Sequence, residues 1–502
     1  MWKKSAFDCL LSVYYLHIFE HDFINPVHSA KEYMEQRIKR DSALINLVSE
    51  FEANFENGNI VYLEEKTFFQ LIGYYEEERE FEKALDVAMI AINQYKYRAE
   101  FHITVARLLL KVNALEECLK YLQIAESIAP CESEIILLKV KALAISGEYD
   151  LAFIELDNLK AYALKGDMVD IHICESEIYA EMSQYPEMYD SLKKALLCEP
   201  KNEIALEKIW VATELSKKYI ECGKLMNELI DRDPYNSYAW YNLGHSYSFI
   251  GEYEKAIDAM EYSYIIEPNF ENGYVDCAEL CCQVKNFERA QTIYEEALQR
   301  FDGDDVDLLL KISECQLYLN KTEASKQNLY KAIKMDPYND EIYYFLAECF
   351  RKEGKWYSSI NAYHKAIEIE DSVGDYYLGL AHAYVAVEDY NKATINFQLA
   401  VGDGPEQTHF WRDFASFLIK LGLLDEALQI LDEADDYTFG ADLLYCRALI
   451  LFLQKDKQAG LNLLEEALDE DFSIHTILFN LAPELEVDKD ISGMIHYYAG
   501  EL

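Results

Sequence analysis

The chain has 502 residues, a formal net charge of −45, 51% hydrophobic residues, and only 19 Gly and 9 Pro. So acidic a surface repels phosphate backbones and anionic headgroups, which sets nucleic acid and bare membrane aside as partners. The apolar share excludes a largely disordered chain, and the scarcity of breakers argues against a β-rich fold and for long helical runs.

The chain opens MWKKSAFDCLLSVYYLHIF. Two Lys precede an apolar run, but Asp8 and His17 interrupt it and no small-residue cleavage site follows. The run is too short and too polar to span a bilayer. Residues 1–28 are therefore expected to be an amphipathic or poorly ordered leader. Ser29 and Glu32 have capping-box spacing. Leu44, Leu47, Val48, Phe51 and Phe55 then give one apolar helical face. N-terminal capping helices are predicted over 29–64.

From Glu65 onward the sequence repeats with a period of 34 residues. Counting Ser237 as position 1 places Trp240 at position 4, Leu243 at 7, Gly244 at 8, Tyr247 at 11, Ala256 at 20, Ser263 at 27 and Pro268 at 32. The same series returns from Gly374 as Tyr377, Leu380, Ala381, Tyr384, Ala393, Ala400 and Pro405. Twelve units fit, starting at Glu65, Ala99, Ser133, Val169, Glu203, Ser237, Glu271, Val306, Asp340, Gly374, Thr408 and Ala441. The Ser133 unit runs two residues long, and the unit before Val306 one. Residues 65–474 are thus accounted for, and a C-terminal capping helix is expected over 475–502, with Ile477, Leu478 and Leu481 covering the last unit.

The spacing has a packing meaning. Positions 4, 7, 8 and 11 share one face of a first helix, A, and positions 20, 24 and 27 one face of a second helix, B. Position 20 is Ala, Cys, Ser or Gly in eleven units, with Met188 the exception. Position 27 is Ala or Ser in ten, with Leu159 and Leu229 differing. Small residues there let two helix backbones cross closely. Ala393→Leu is expected to overfill such a crossing and cost roughly 1–3 kcal/mol, readable in a thermal melt.

With these positions filled, the chain resembles the tetratricopeptide-repeat (TPR) family. The resemblance implies an all-α fold, an α-solenoid built as a right-handed superhelix of helix-turn-helix repeats. It also implies a non-catalytic scaffold whose concave groove takes a partner peptide or protein segment.

Chemistry-bearing motifs are scarce. No phosphate-cradling Gly loop, GxSxG, HExxH or EF-hand spacing occurs. Asp302, Gly303, Asp304, Asp305 and Asp307 form an acidic turn without the later ligands of a calcium loop. The 12 Cys show no CxxC spacing, which fits reduced thiols in a cytoplasmic protein. No catalytic residue, metal site or cofactor is predicted.

Positions 2, 5, 9 and 12 of helix A make a second stripe, the one that lines the groove in TPR proteins. It supplies Tyr238, Tyr241 and His245, then Glu279, Glu314, Tyr344, Glu348 and Arg351, and finally His382 and Arg412. An aromatic and acidic stripe suits a segment bearing basic and apolar side chains. Two other readings compete with the scaffold. One is a structural subunit of an envelope-associated complex anchored through residues 1–24. The other is an enzyme using the groove carboxylates.

Overall fold

A computed structural model describes residues 44–55, 62–130, 132–164, 166–301 and 303–500. The leader expected over 1–28 and the Ser29–Glu32 capping box lie outside the described residues. The fold is an all-α solenoid of successive helix pairs, with no strand among the described residues. Typical pairs are Ser237–Phe249 with Tyr253–Ile266, and Gly374–Ala386 with Tyr390–Asp403. One compact body ends at Pro268 and a second begins at Asn269.

In both bodies the small residues lie at the helix crossings. Ala256, Ala290, Ala393 and Ala400 are all fully buried. At position 8, a Cβ built on Gly244 would stand 3.1 Å from the Ala256 carbonyl oxygen on the facing helix. Large rings fill the space beside the crossings, as where Phe397 stacks on Phe414 at 5.5 Å between centroids. The ring at position 4 carries a polar head for a further reason. Trp240 Nε1 donates to the Pro234 carbonyl at 2.9 Å, Trp411 Nε1 to Pro405 at 2.7 Å, and the Tyr343 hydroxyl to Pro337 at 3.1 Å. Each ring thereby ties its helix to the turn that precedes it.

The A–B turns share one device. Position 15 is left-handed in every unit: Gly147, Gly251, Gly354 and Gly422 occupy it, but so do Arg79, Asn113, Ser183, Lys217, Lys285, Asn320, Glu388 and Lys455. The next amide then donates back across the helix end, as Asp389 N does to the Tyr384 carbonyl at 3.0 Å, which is the Schellman arrangement. An L-residue in this region carries a steric cost. Glu388 is exposed, at φ 61°, so Glu388→Gly is expected to stabilise the second body by about 0.5–1 kcal/mol. A urea titration with unchanged slope and a higher midpoint would register it.

Described flanking segments pack on the first and last pairs. Residues 44–55 are helical, and Val48 is buried among Leu47, Phe51 and the first pair, whereas Phe55 is exposed. After Glu470 the chain forms two helices, Thr476–Leu481 and Lys489–Tyr498, where a single capping helix was expected. Pro483 opens the intervening 3-10 turn, because its missing N–H and its ring prevent the first helix from continuing. Leu478 and Ile491 are buried against the last pairs.

Candidate interaction site

Within each body consecutive A helices pack on one another, as Ser133–Ile145 does on Met168–Glu181 and Val306–Tyr318 on Asp340–Lys352, so their outward faces form a row. In the first body, position 9 of one A helix is met by the next. Arg107 pairs with Glu134 at 2.8 Å, Lys141 with Glu177 at 3.0 Å, and Glu177 with Lys208 at 2.9 Å. In the second body Lys311 meets Glu279 at 2.6 Å, and His382 meets Asp413 at 3.0 Å. Three of these pairs join position 9 to position 6 of the following unit: Glu177–Lys208, Glu279–Lys311 and His382–Asp413. Position 6 lies outside the stripe of positions 2, 5, 9 and 12. The signal available in the sequence was the opposite charge at these two positions in consecutive units.

This ladder changes what the stripe residues offer. Tyr241 is buried, with its ring edge-on to His245 at 4.5 Å, and His245 stacks on Trp210 at 4.7 Å. Tyr241 is therefore part of the first body's interior and not an open anchor. Tyr238 is half-buried, and its hydroxyl donates to Glu207 at 3.3 Å. Glu279 is engaged by Lys311 of its own chain.

Glu348 is neutralised too, by a different route. Its ladder position is faced by Gly379, which has no side chain. Arg351 Nε instead lies 3.0 and 3.2 Å from its two oxygens, and the Tyr363 hydroxyl donates to it as well. Gly379 makes this possible, since a Cβ there would run into the Tyr363 ring and hydroxyl. Glu348 and Arg351 thus satisfy each other, and Glu348 is not free to pair a partner's cation.

Glu314 is the exception. The position that would supply its cation holds Phe345. Glu314 is half-buried and takes part in no hydrogen bond or ion pair among the described residues. Burial raises its carboxyl above the usual range, Lys311 lowers it in part, and Glu341 and Glu279 raise it further. Two tyrosines of the same two A helices stand on this part of the stripe. Tyr318 is exposed and stacks on Phe287 at 4.2 Å, and burial followed by Glu314 and Glu348 raises its hydroxyl. Tyr344 is half-buried beside Tyr376, at 5.1 Å between centroids. Among the position-9 glutamates of the described residues, Glu314 is thus the one left without an ion pair, and it stands beside aromatic surface.

Farther along the second body a pocket of ≈ 420 Å³ opens among His382, Arg412, Asp413, Phe397, Phe417 and Leu481. Arg412 donates to Asp413 at 2.8 Å, so Asp413 is held between Arg412 and His382. Burial would raise Asp413, but these two partners reverse that and its carboxyl lies below the usual range. The helix Thr476–Leu481 packs on the A helices of the Thr408 and Ala441 units and closes this end of the stripe. In the acidic turn, Asp304 pairs with Lys331 at 3.0 Å, so its counter-ion is a lysine of the chain itself. No group of His, Cys, Asp and Glu among the described residues could hold a metal.

Paired helices, small residues at the crossings and a recurring left-handed turn define a tetratricopeptide-repeat protein, and the comparisons agree. Three TPR family models match: YpiA-like C-terminal tetratricopeptide repeats over residues 376–434, and two tetratricopeptide-repeat models over 225–258 and 306–339. The chain is 23% identical over 367 residues to the TPR repeat-containing protein YpiA of Bacillus subtilis strain 168, covering 71% of this chain and 84% of that protein. It is 28% identical over 105 residues to the Hsp70-Hsp90 organizing protein of Triticum aestivum, covering 21% of this chain and 18% of that one. Among solved structures, yeast Tom70 is 14% identical with a TM-score of 0.38, covering 91% of this chain and 99% of that chain. The TPR family models and the similarity to YpiA support a protein-interaction scaffold and point to a non-enzymatic repeat protein. Among the described residues, no helix is long and apolar enough to cross a membrane.

Proposed function

We propose that the A-helix stripe of the second body is a groove that binds a protein segment carrying a basic side chain among apolar ones, with the cation on Glu314. The supporting observation is that Glu314 lacks both the position-6 cation that Glu177 and Glu279 have and the Arg351 that serves Glu348. Glu341 adds to the negative potential, and Tyr318 and Tyr344 offer ring surface for the stem and head of a Lys or Arg. The ladder pairs hold neighbouring A helices in register, so the groove is formed before the partner arrives, which lowers the ordering cost of binding.

The reading predicts opposite effects on affinity and stability. A carboxyl raised on folding costs nothing below its unfolded pKa, and its full cost is present above the folded value. Glu314→Gln is therefore expected to melt at a higher temperature than wild type at pH 7. On an array of twelve-residue peptides varied in Lys, Arg and Leu content, wild type should select basic and apolar members. Their affinity for Glu314→Gln should fall about tenfold, roughly 1.4 kcal/mol. Selection indifferent to Lys and Arg, or equal affinity for both proteins, would rule the reading out.

A further inference from the structure

We propose that Cys282 and Cys315 form a dithiol that closes into a disulfide on meeting a small uncharged disulfide, covalently joining two neighbouring repeats. The inference is independent of the partner reading. Cys282 lies on the helix Glu271–Gln283 and Cys315 on Val306–Tyr318, and their Sγ atoms are 3.6 Å apart. A disulfide needs about 2.05 Å, so the sulfurs must approach by roughly 1.5 Å, within reach of side-chain rotation. Cys282 is half-buried and Cys315 is 1% exposed. Cys282 is thus the more accessible residue of the two, and Cys315 is shielded.

That asymmetry fixes the order of steps. The Cys282 thiolate attacks one sulfur of a dialkyl disulfide, releasing one alkyl thiolate and leaving a mixed disulfide. The Cys315 thiolate then attacks Sγ of Cys282 and expels the second alkyl thiolate. The two protein thiols give up two protons and two electrons, and the dialkyl disulfide leaves as two thiols. The surroundings select the reagent. The hydrogen bond to Cys315, then burial, then Glu314 hold Cys282 protonated at rest, so the attacking thiolate is a minor form that gives its proton to solvent, and the exchange is slow and faster at alkaline pH. An oxidant bearing carboxylates would be repelled by Glu314 and its neighbours, whereas an uncharged one would not. The product ties together the A helices that carry Glu279 and Glu314.

Cys198 provides an internal reference, because it is exposed and no sulfur contacts it among the described residues. The full chain is treated with bis(2-hydroxyethyl) disulfide, quenched with acid and mapped by mass spectrometry of non-reduced peptides. The expected result is a Cys282–Cys315 linked peptide in wild type, with a stable hydroxyethylthio adduct at Cys198. In Cys315→Ser the adduct should persist on Cys282, and in Cys282→Ser residue 315 should stay unmodified. The linked wild-type protein should unfold at a higher urea concentration than the reduced form. A lasting adduct on wild-type Cys282, a link from Cys315 to Cys281, or reaction at Cys198 alone would overturn the proposal, and each is read on wild type irrespective of how the variants fold.

Discussion

Gly244→Val is expected to destabilise the first body by about 3 kcal/mol, whereas Gly73→Ala stabilises the same body by up to about 1 kcal/mol. Both glycines lie inside A helices, so helix propensity alone favours replacing either. Their surroundings differ. A Cβ on Gly73 meets nothing within 4 Å. A Cβ on Gly244 meets the Ala256 carbonyl oxygen at 3.1 Å and the Met260 amide nitrogen at 3.3 Å. These are backbone atoms of the facing helix, and no rotamer change moves them aside. Relief requires the two helices to separate, which opens the contacts around the buried Leu243 and Met260. Urea titrations of the two variants beside wild type make the comparison. Equal effects at both positions would mean that the crossing does not depend on Gly244.

The same residues show how much of the fold was legible in the sequence. Ala256, Ala290 and Ala393 recur in step with the period, and a short side chain at a fixed interval has few explanations besides a close crossing. The left-handed turn was not legible. Only four of its positions hold Gly, and the Schellman geometry is imposed by the helix ends on Arg, Asn, Ser, Lys and Glu alike. The site was legible as a stripe and not as an electrostatic arrangement. Glu279, Glu314 and Glu348 look equivalent at position 9, yet Lys311, Phe345 and Gly379 at position 6 give them three different environments. Which carboxylate is uncompensated depends on the neighbouring repeat, and reading each unit by itself hides it. The break at Pro483 was visible in the sequence, but the expectation of one capping helix passed over it.

The ladder also suggests how so acidic a chain keeps a defined face. Most position-9 charges are met inside the protein, so they fix the register between repeats and leave little net field of their own. A partner's cation then meets a local imbalance at Glu314 in addition to the diffuse background of the chain. Salt screens the diffuse part over about a Debye length and affects the half-buried part much less. Specificity in such a scaffold comes from where the internal pairing is missing.

Glu175→Gln is expected to lower the stability of the first body by about 3 kcal/mol at pH 7, and the loss should fade as the pH drops. Glu175 stands at position 7, where other units place Leu243 or Leu380, and it is 7% exposed. Lys160 Nζ lies 2.8 Å from one carboxylate oxygen and His172 Nδ1 3.2 Å from the other. Burial alone would raise this carboxyl, but the bonds to His172 and Lys160 outweigh it and bring it down to about 2 from the ordinary 4.5. The folded value lies below the unfolded one, so the stabilisation is fully present above about pH 4.5 and is lost as the pH falls towards 2. Between wild type and Glu175→Gln the gap should therefore be near its full size at pH 7 and about half that at pH 3. Urea midpoints followed by circular dichroism across this range measure the gap directly, and the many other carboxylates cancel because both proteins carry them. A gap independent of pH would show that Glu175 contributes through packing alone. A gap that closes on acidification would show that this repeat, which lacks a leucine at a core position, is held by a buried ion pair in its place.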